Sequence, residues 1–360
     1  MTLYETMAKI LPADRKAAQE AKDYCGTLVK PVDSLGKLEE LAARLAGITG
    51  KIKNSFEQRA VLVFCADNGV VEEGVSSAPP SVTLSQTLNF VKGLTGVCVF
   101  ARKAHADVIP IDVGINGDID DKRIINRKIR KGTDNICKGP AMTREEAEDA
   151  MTAGFDSVSD SVRGGCSLLG IGEMGIGNTT TASAVLAALT SLPPEQTTGF
   201  GAGMTNEGYS NKVGAVKTAL SINQPYSRDV VEVLSKVGGL DIAAMTGAYL
   251  SAAYHRIPAV MDGFISAVAA LCAVRLCPNV RDYIIPSHNS KERGYNVAAK
   301  QLDLFPSLML DMGLGEGSGC PLEFAIIDFS CAMMNEMATF SKASIDDNFL
   351  APFRKSNKKE

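Results

Sequence analysis

Residues 60–69, Ala60-Val-Leu-Val-Phe-Cys-Ala66 followed by Asp67-Asn-Gly69, decide the fold. A short apolar run rich in β-branched side chains, with no polar alternation, reads as a strand buried on both faces of a parallel sheet. Its polar C-terminal end is then the expected position of an active loop. The same unit returns along the chain. Val108-Ile-Pro-Ile-Asp-Val-Gly114 follows a helical pattern around Leu88 to Ala104, and Cys166-Ser-Leu-Leu-Gly-Ile-Gly172 precedes a helix expected to begin near Thr180. Ala259-Val-Met-Asp-Gly263 and Tyr283-Ile-Ile-Pro286 complete the series.

Strands alternating with helices predict an α/β fold, a mostly parallel Rossmann-like sheet flanked by helices on both faces with right-handed crossovers. Before the first strand, apolar residues from Lys16 to Ile48 recur at helical spacing, interrupted by Lys30-Pro-Val-Asp-Ser-Leu-Gly36, which predicts two helices joined by a turn. A last helix is expected from Glu323 to about Phe340. The division that follows is 1–56 as the N-terminal part of a small helical domain, 57–321 as the large α/β catalytic domain, and 322–360 as the C-terminal helix completing the small one.

At 360 residues, 45% hydrophobic and 22% charged, the chain can bury a substantial core. A net charge of -4 without long like-charge blocks gives no reason to expect nucleic acid or an anionic membrane as partner. The basic run at the C-terminus, Arg354-Lys-Ser-Asn-Lys-Lys359, reads as a solvated tail. Nine scattered cysteines form no C-x-x-C pair, so free thiols in a reducing compartment are the better account than disulfides or zinc. Charged residues in the first nine positions and the lack of any long uncharged apolar run predict a cytoplasmic protein.

In such sheets ligands bind at the carboxyl ends of the strands, and Asp67, Asp112, Glu173, Asp262, His288 and Glu316 all fall there. Gly172-Glu-Met-Gly-Ile-Gly-Asn-Thr-Thr-Thr181 lies between a strand and a helix. Its glycines and hydroxyls suit an anion at a helix N-terminus, and equally a tight turn. Gly199-Phe-Gly-Ala-Gly203 is a second glycine-dense loop; Lys212 in the helical segment after it could meet a phosphate, although alone such a loop is more often a flexible connection. Leu314-Gly-Glu-Gly-Ser-Gly-Cys-Pro321 sets one carboxylate, Glu316, on a tight loop, where partial burial would make it a usable base and exposure would leave it an ordinary turn residue. His105, His255 and His288 have no metal-ligand spacing, and only His288 stays a site candidate.

In their order along nearly the whole chain, these segments resemble the nicotinate-nucleotide:dimethylbenzimidazole phosphoribosyltransferases, which make the lower-ligand nucleotide of cobamides. The resemblance rests on Lys30-Pro-Val-Asp-Ser-Leu-Gly-Lys-Leu-Glu-Glu40, Ala66-Asp-Asn-Gly-Val70, Gly74-Val-Ser76, Pro80-Ser-Val-Thr83, the Gly172–Thr180 loop, Asp262-Gly-Phe-Ile265, Gly315-Glu-Gly-Ser-Gly319 and Glu336-Met-Ala-Thr-Phe340. It implies nicotinate mononucleotide and an aromatic lower-ligand base as substrates, no cofactor, no metal, and a homodimer or a heterodimer with a homologous subunit. It also implies Glu316 as catalytic base and Glu173, Ser77, Ser85, Gln86, Leu314 and Asn68 around the acceptor. Gly175, Ile176, Gly177, Asn178, Thr179, Thr180, Gly201, Gly203, Lys212, Asp262 and His288 match the nucleotide and phosphate region.

Four motifs depart from the family pattern. Asn68 stands where a His is usual, His288-Asn-Ser290 replaces His-Arg-Ser, Gly199-Phe-Gly-Ala-Gly203 replaces Gly-x-Gly-Thr-Gly, and Ser85-Gln86 replaces Gln-Met. Three expectations therefore stand side by side: transfer to 5,6-dimethylbenzimidazole or a related base, transfer to phenol or p-cresol by one subunit of a heterodimer, and a catalytically weak partner subunit.

Overall fold

The computed structural model describes residues 3–201, 203, 205–350 and 352, and the basic run at 354–359 lies outside them. The quoted run forms β1, Arg59–Ala66, buried along nearly its whole length. Each of its large apolar side chains contributes about 1.5–3 kcal/mol by leaving water. β1 pairs in parallel with β2 (Asp107–Gly114) on one side and β4 (Leu168–Met174) on the other. β5 (Ala259–Met261) and β6 (Ile284–Pro286) extend the sheet beyond β4, and β3 (Ile125–Asn126) closes the far edge. The order is β3-β2-β1-β4-β5-β6, with every one of these pairs parallel. Between β1 and β4 the direction of strand addition reverses, which leaves a crevice at their carboxyl ends.

Within the sheet two details differ from the expectation. β3 is an addition to the expected strands. β4 runs on to Met174, so Glu173 belongs to the strand rather than to the loop after it, and the following helix spans Asn178–Thr190.

The helix Leu240–Tyr254 is buried all round and crosses Arg144–Arg163 with its backbone in contact. A Cβ on Gly154 would lie 1.8 Å from the Ala244 carbonyl oxygen, and one on Gly247 would lie 1.8 Å from that of Met151. Only glycine permits this approach. It sets the depth of the helix whose first turn carries Asp241.

The chain divides into two units, Met1–Leu11 with Gln58–Glu323, and Pro12–Glu57 with Phe324–Glu360. The expected assignment of 1–56 to the small domain is corrected at its start. The first eleven residues join the sheet-bearing unit because Asn279 Nδ2 donates to the Ile10 carbonyl and the Tyr283 hydroxyl to that of Leu11, both at 2.9 Å. The smaller unit holds the helices Arg15–Cys25 and Lys37–Thr49, and its apolar cluster joins Ala21, Cys25, Leu28, Ala42 and Ala46 to Met333 and Met334. The boundary at 323/324 falls inside the last helix, Cys320–Glu336. Among the described residues no helix is long and apolar enough to cross a membrane.

Candidate active site

A cavity of about 370 Å3 opens where the loops after β1, β4, β5 and β6 meet the 313–316 segment. Glu316 sits at its wall in an uncommon conformation. Gly315, Glu316 and Gly317 have φ of +82°, +63° and +79°, three consecutive left-handed residues. For the two glycines this costs little, while for Glu316 it costs roughly 1–2 kcal/mol. Asp262, just past β5, offsets that cost: its carboxylate accepts from Gly317 N (3.0 Å) and Gly319 N (2.7 Å).

The Glu316 carboxylate is gripped from the opposite side. Gln86 Nε2 donates to Oε1 at 2.5 Å and Val97 N to Oε2 at 3.4 Å, while Asn89 Nδ2 donates to Gln86 Oε1 at 3.3 Å. Burial pushes the pKa of Glu316 above the usual carboxylate value, and the Gln86 and Val97 donors restrain the rise. Gln86 and Ser85 are neighbours on the helix Ser81–Val91, so they point about 100° apart. Gln86 takes the cavity position. Ser85 is exposed and donates to the Ser81 carbonyl at 3.1 Å, so it does not line the cavity.

Glu173 reaches the same cavity from the end of β4. It is buried, its Oε2 accepts from Asn178 Nδ2, and its pKa is pushed up to about 8 by desolvation first and by the neighbouring Asp241 second. A Cβ on Gly315 would lie 2.6 Å from Glu173 Oε1, so the two carboxyl-bearing segments are in direct contact.

The glycine-rich turn after β4 brings Gly175, Ile176, Gly177, Asn178 and Thr179 to the cavity, with Thr83 Oγ1 accepting from Ile176 N at 3.1 Å. Gly201 also lines it; Gly203 does not. Lys212 is fully buried behind this wall and donates to Thr179 Oγ1 at 2.7 Å. Burial lowers its pKa to about 8. Thr180 is buried away from the cavity, its hydroxyl without a hydrogen-bond partner among the described residues. His288 lines the cavity, shares a 2.9 Å hydrogen bond with Ser287 Oγ and stands 4.0 Å from Asp262 Oδ1.

Ser77 and Leu314 are at the cavity as well. Asn68 is not. It is buried behind Gly177 and accepts from Thr181 Oγ1 at 3.3 Å. The expectation of one cleft collecting six acidic or basic groups is corrected for two of them. Asp112 accepts from Gly114 N and Ile115 N and pairs with Lys128 at 3.1 Å, and Asp67 accepts from Asn116 N at 2.8 Å. Both are engaged in fixing strand ends. Conversely, Asp241 and the Val97 amide meet Asn178 and Glu316 through contacts that no local sequence pattern marks. Asp241 carries a signal, an acid in the first turn of an otherwise apolar helix, but a helix N-terminus accounts for such a residue without a site.

A model of a phosphoribosyltransferase family matches residues 10–345. A nicotinate-nucleotide–dimethylbenzimidazole phosphoribosyltransferase of Ruminiclostridium cellulolyticum is 50% identical over 346 residues, covering 96% of this chain and 98% of its own. One of Clostridium perfringens is 49% identical over 348 residues, 97% and 96% of the two chains. The crystal structure of the Thermus thermophilus enzyme of that name superposes with a TM-score of 0.88 at 40% identity, covering 93% of this chain and all of that one.

Proposed function

The chain belongs to the phosphoribosyltransferase family, and from that premise we propose that it transfers the phosphoribosyl group of nicotinate mononucleotide to 5,6-dimethylbenzimidazole or a closely related aromatic base. The observation that carries the reading is Glu316, held at the cavity wall in a left-handed conformation with its carboxylate clamped by Gln86 and the Val97 amide. The relatives carry the dimethylbenzimidazole activity in their names, and the phenolic and weak-subunit alternatives draw no support from them.

In this reaction one ring nitrogen of the acceptor forms a bond to C1 of the ribose. The C1–N bond to the pyridinium breaks, and its electron pair returns to the ring, releasing nicotinate. Glu316 takes the proton from the other ring nitrogen. Attack opposite the leaving group turns the β-riboside into an α-riboside. The leaving group is already cationic, so positioning and one base supply most of the acceleration. That is the chemical ground for expecting no metal and no cofactor.

Lys212, Thr179 and the Gly177 amide suit the phosphate, because a glycine-rich turn into a helix N-terminus favours an anion, while the Ile176 and Asn178 amides already donate to Thr83 Oγ1 and the Gly175 carbonyl. Gln86, Ser77 and Leu314 suit the flat acceptor. The reading carries with it a cytoplasmic enzyme acting as a dimer, of identical or homologous subunits. Incubating the purified chain with nicotinate mononucleotide and dimethylbenzimidazole tests it: nicotinate and the α-ribotide are expected in equal amounts. Turnover with phenol alone, or none without a co-expressed homologue, sinks the reading.

A further inference from the structure

Asn178 Nδ2 donates to two carboxylates at once, Glu173 Oε2 and, at 2.9 Å, Asp241 Oδ2. Both acids are buried, and no ion pair with a cation joins either among the described residues. Two buried carboxylates sharing one neutral donor resist ionising together, so near neutral pH the pair holds a proton.

The surroundings decide where that proton sits. Asp241 lies in the first turn of the 15-residue helix Leu240–Tyr254, where the dipole favours an anion, and accepts from Ile242 N at 2.9 Å besides Asn178. Among the described residues Glu173 has Asn178 as its one hydrogen-bond donor, and its second oxygen lies against Gly315 of the Glu316 loop. We propose that Asp241 is a positioning residue that takes the negative charge of the pair, so that Glu173 meets the substrates as a neutral carboxylic acid and a hydrogen-bond donor. An uncharged Glu173 also leaves Glu316 free to ionise beside it, which separates the two cavity carboxyls into one donor and one base.

The direction of both pKa values agrees: Asp241 is raised to about 6 and Glu173 to about 8. The other charged groups facing the pair are Asp262 and Glu316 toward Glu173 and Asp67 toward Asp241. All are acids: Asp262 and Glu316 favour the proton on Glu173, and Asp67 opposes this from the Asp241 side, where the helix dipole and the Ile242 amide act against it. Lys212 titrates in the same range but faces Thr179.

The donor role rests on the function proposed above; the protonation state does not, so the test separates them. The carboxylic-acid C=O stretch of Glu173 is read by infrared titration of the substrate-free protein, assigned by its loss in Glu173→Gln. Its midpoint is expected near the slightly alkaline value in the parent and lower by about one unit or more in Asp241→Asn. Asp241→Ser, smaller and neutral, gives the same reading should the amide pack poorly. With nucleotide saturating, the alkaline limb of kcat/KM for the acceptor should move down by the same amount. A Glu173 midpoint unmoved in both variants overturns the inference, whatever the activity. A shifted midpoint in a protein without transferase turnover supports it and overturns the function instead.

Discussion

Gly172 and Gly317 meet backbone to backbone: a Cβ on Gly172 would lie 2.4 Å from Gly317 N and 2.5 Å from its Cα. The strand that carries Glu173 and the loop that carries Glu316 are thus registered with no side chain between them. Gly172→Ala must push the loop outward by most of an ångström. Overpacking of this kind costs about 1–3 kcal/mol, and a displaced base costs roughly 100-fold in rate. Thermal unfolding and steady-state kinetics on the variant check both, and parental values for the two would refute the contact argument.

Glu316→Gln keeps the shape of the loop and removes the base. A fall in kcat of about 10²- to 10⁴-fold is expected, with KM for nicotinate mononucleotide near the parent. A base must be ionised, so the rate rises with pH through a midpoint above the ordinary carboxylate range, as burial dictates. Gln86→Ala deletes a donor that stabilises the ionised form. Its acid limb should therefore move to higher pH, and a shift to lower pH would mean that Gln86 does not serve Glu316.

What sequence reading reaches and what it misses follow from physical range. The strand at 59–66 is a local property of seven apolar neighbours, and so are β2 and the core of β4. β3 is two residues, Ile125 and Asn126, amid charged neighbours, and exists only because β2 offers an edge. Glu316 is legible because glycines on both sides announce a left-handed turn. Asp67 and Asp112 look equally suited, and only the folded loop amides at 114–116 show that they are occupied. Asp241 matters through Asn178, 63 positions away, a pairing no local window contains.

Glu173 gives stability a pH dependence. Its folded pKa of about 8 lies above the unfolded value of about 4.5, so its contribution is fully present below the unfolded value. It is lost as pH rises toward and through 8. Between these limits the folded state binds the extra proton, and stability falls by up to about 1.4 kcal/mol per pH unit. Glu173→Gln stays neutral and should flatten this decline. Urea unfolding at pH 6 and pH 8.5 measures it; equal slopes for parent and variant would show that Glu173 is ionised throughout.

Lys212 is expected to serve the phosphate end of the nucleotide. Its ammonium is fully buried with Thr179 Oγ1 as its hydrogen-bond partner among the described residues, and burial holds its pKa near 8. A phosphate arriving at Thr179 and Gly201 would favour the charged form, so nucleotide affinity should weaken as pH rises above about 8. Lys212→Met keeps the length and removes the charge. Charge-assisted hydrogen bonds contribute about 1.5–3 kcal/mol, so KM for nicotinate mononucleotide should rise roughly 10- to 100-fold. The control is nicotinate riboside, which lacks the phosphate: parent and variant should handle it alike. If Lys212→Met impairs both substrates equally, the lysine supports the wall of the cavity rather than the phosphate.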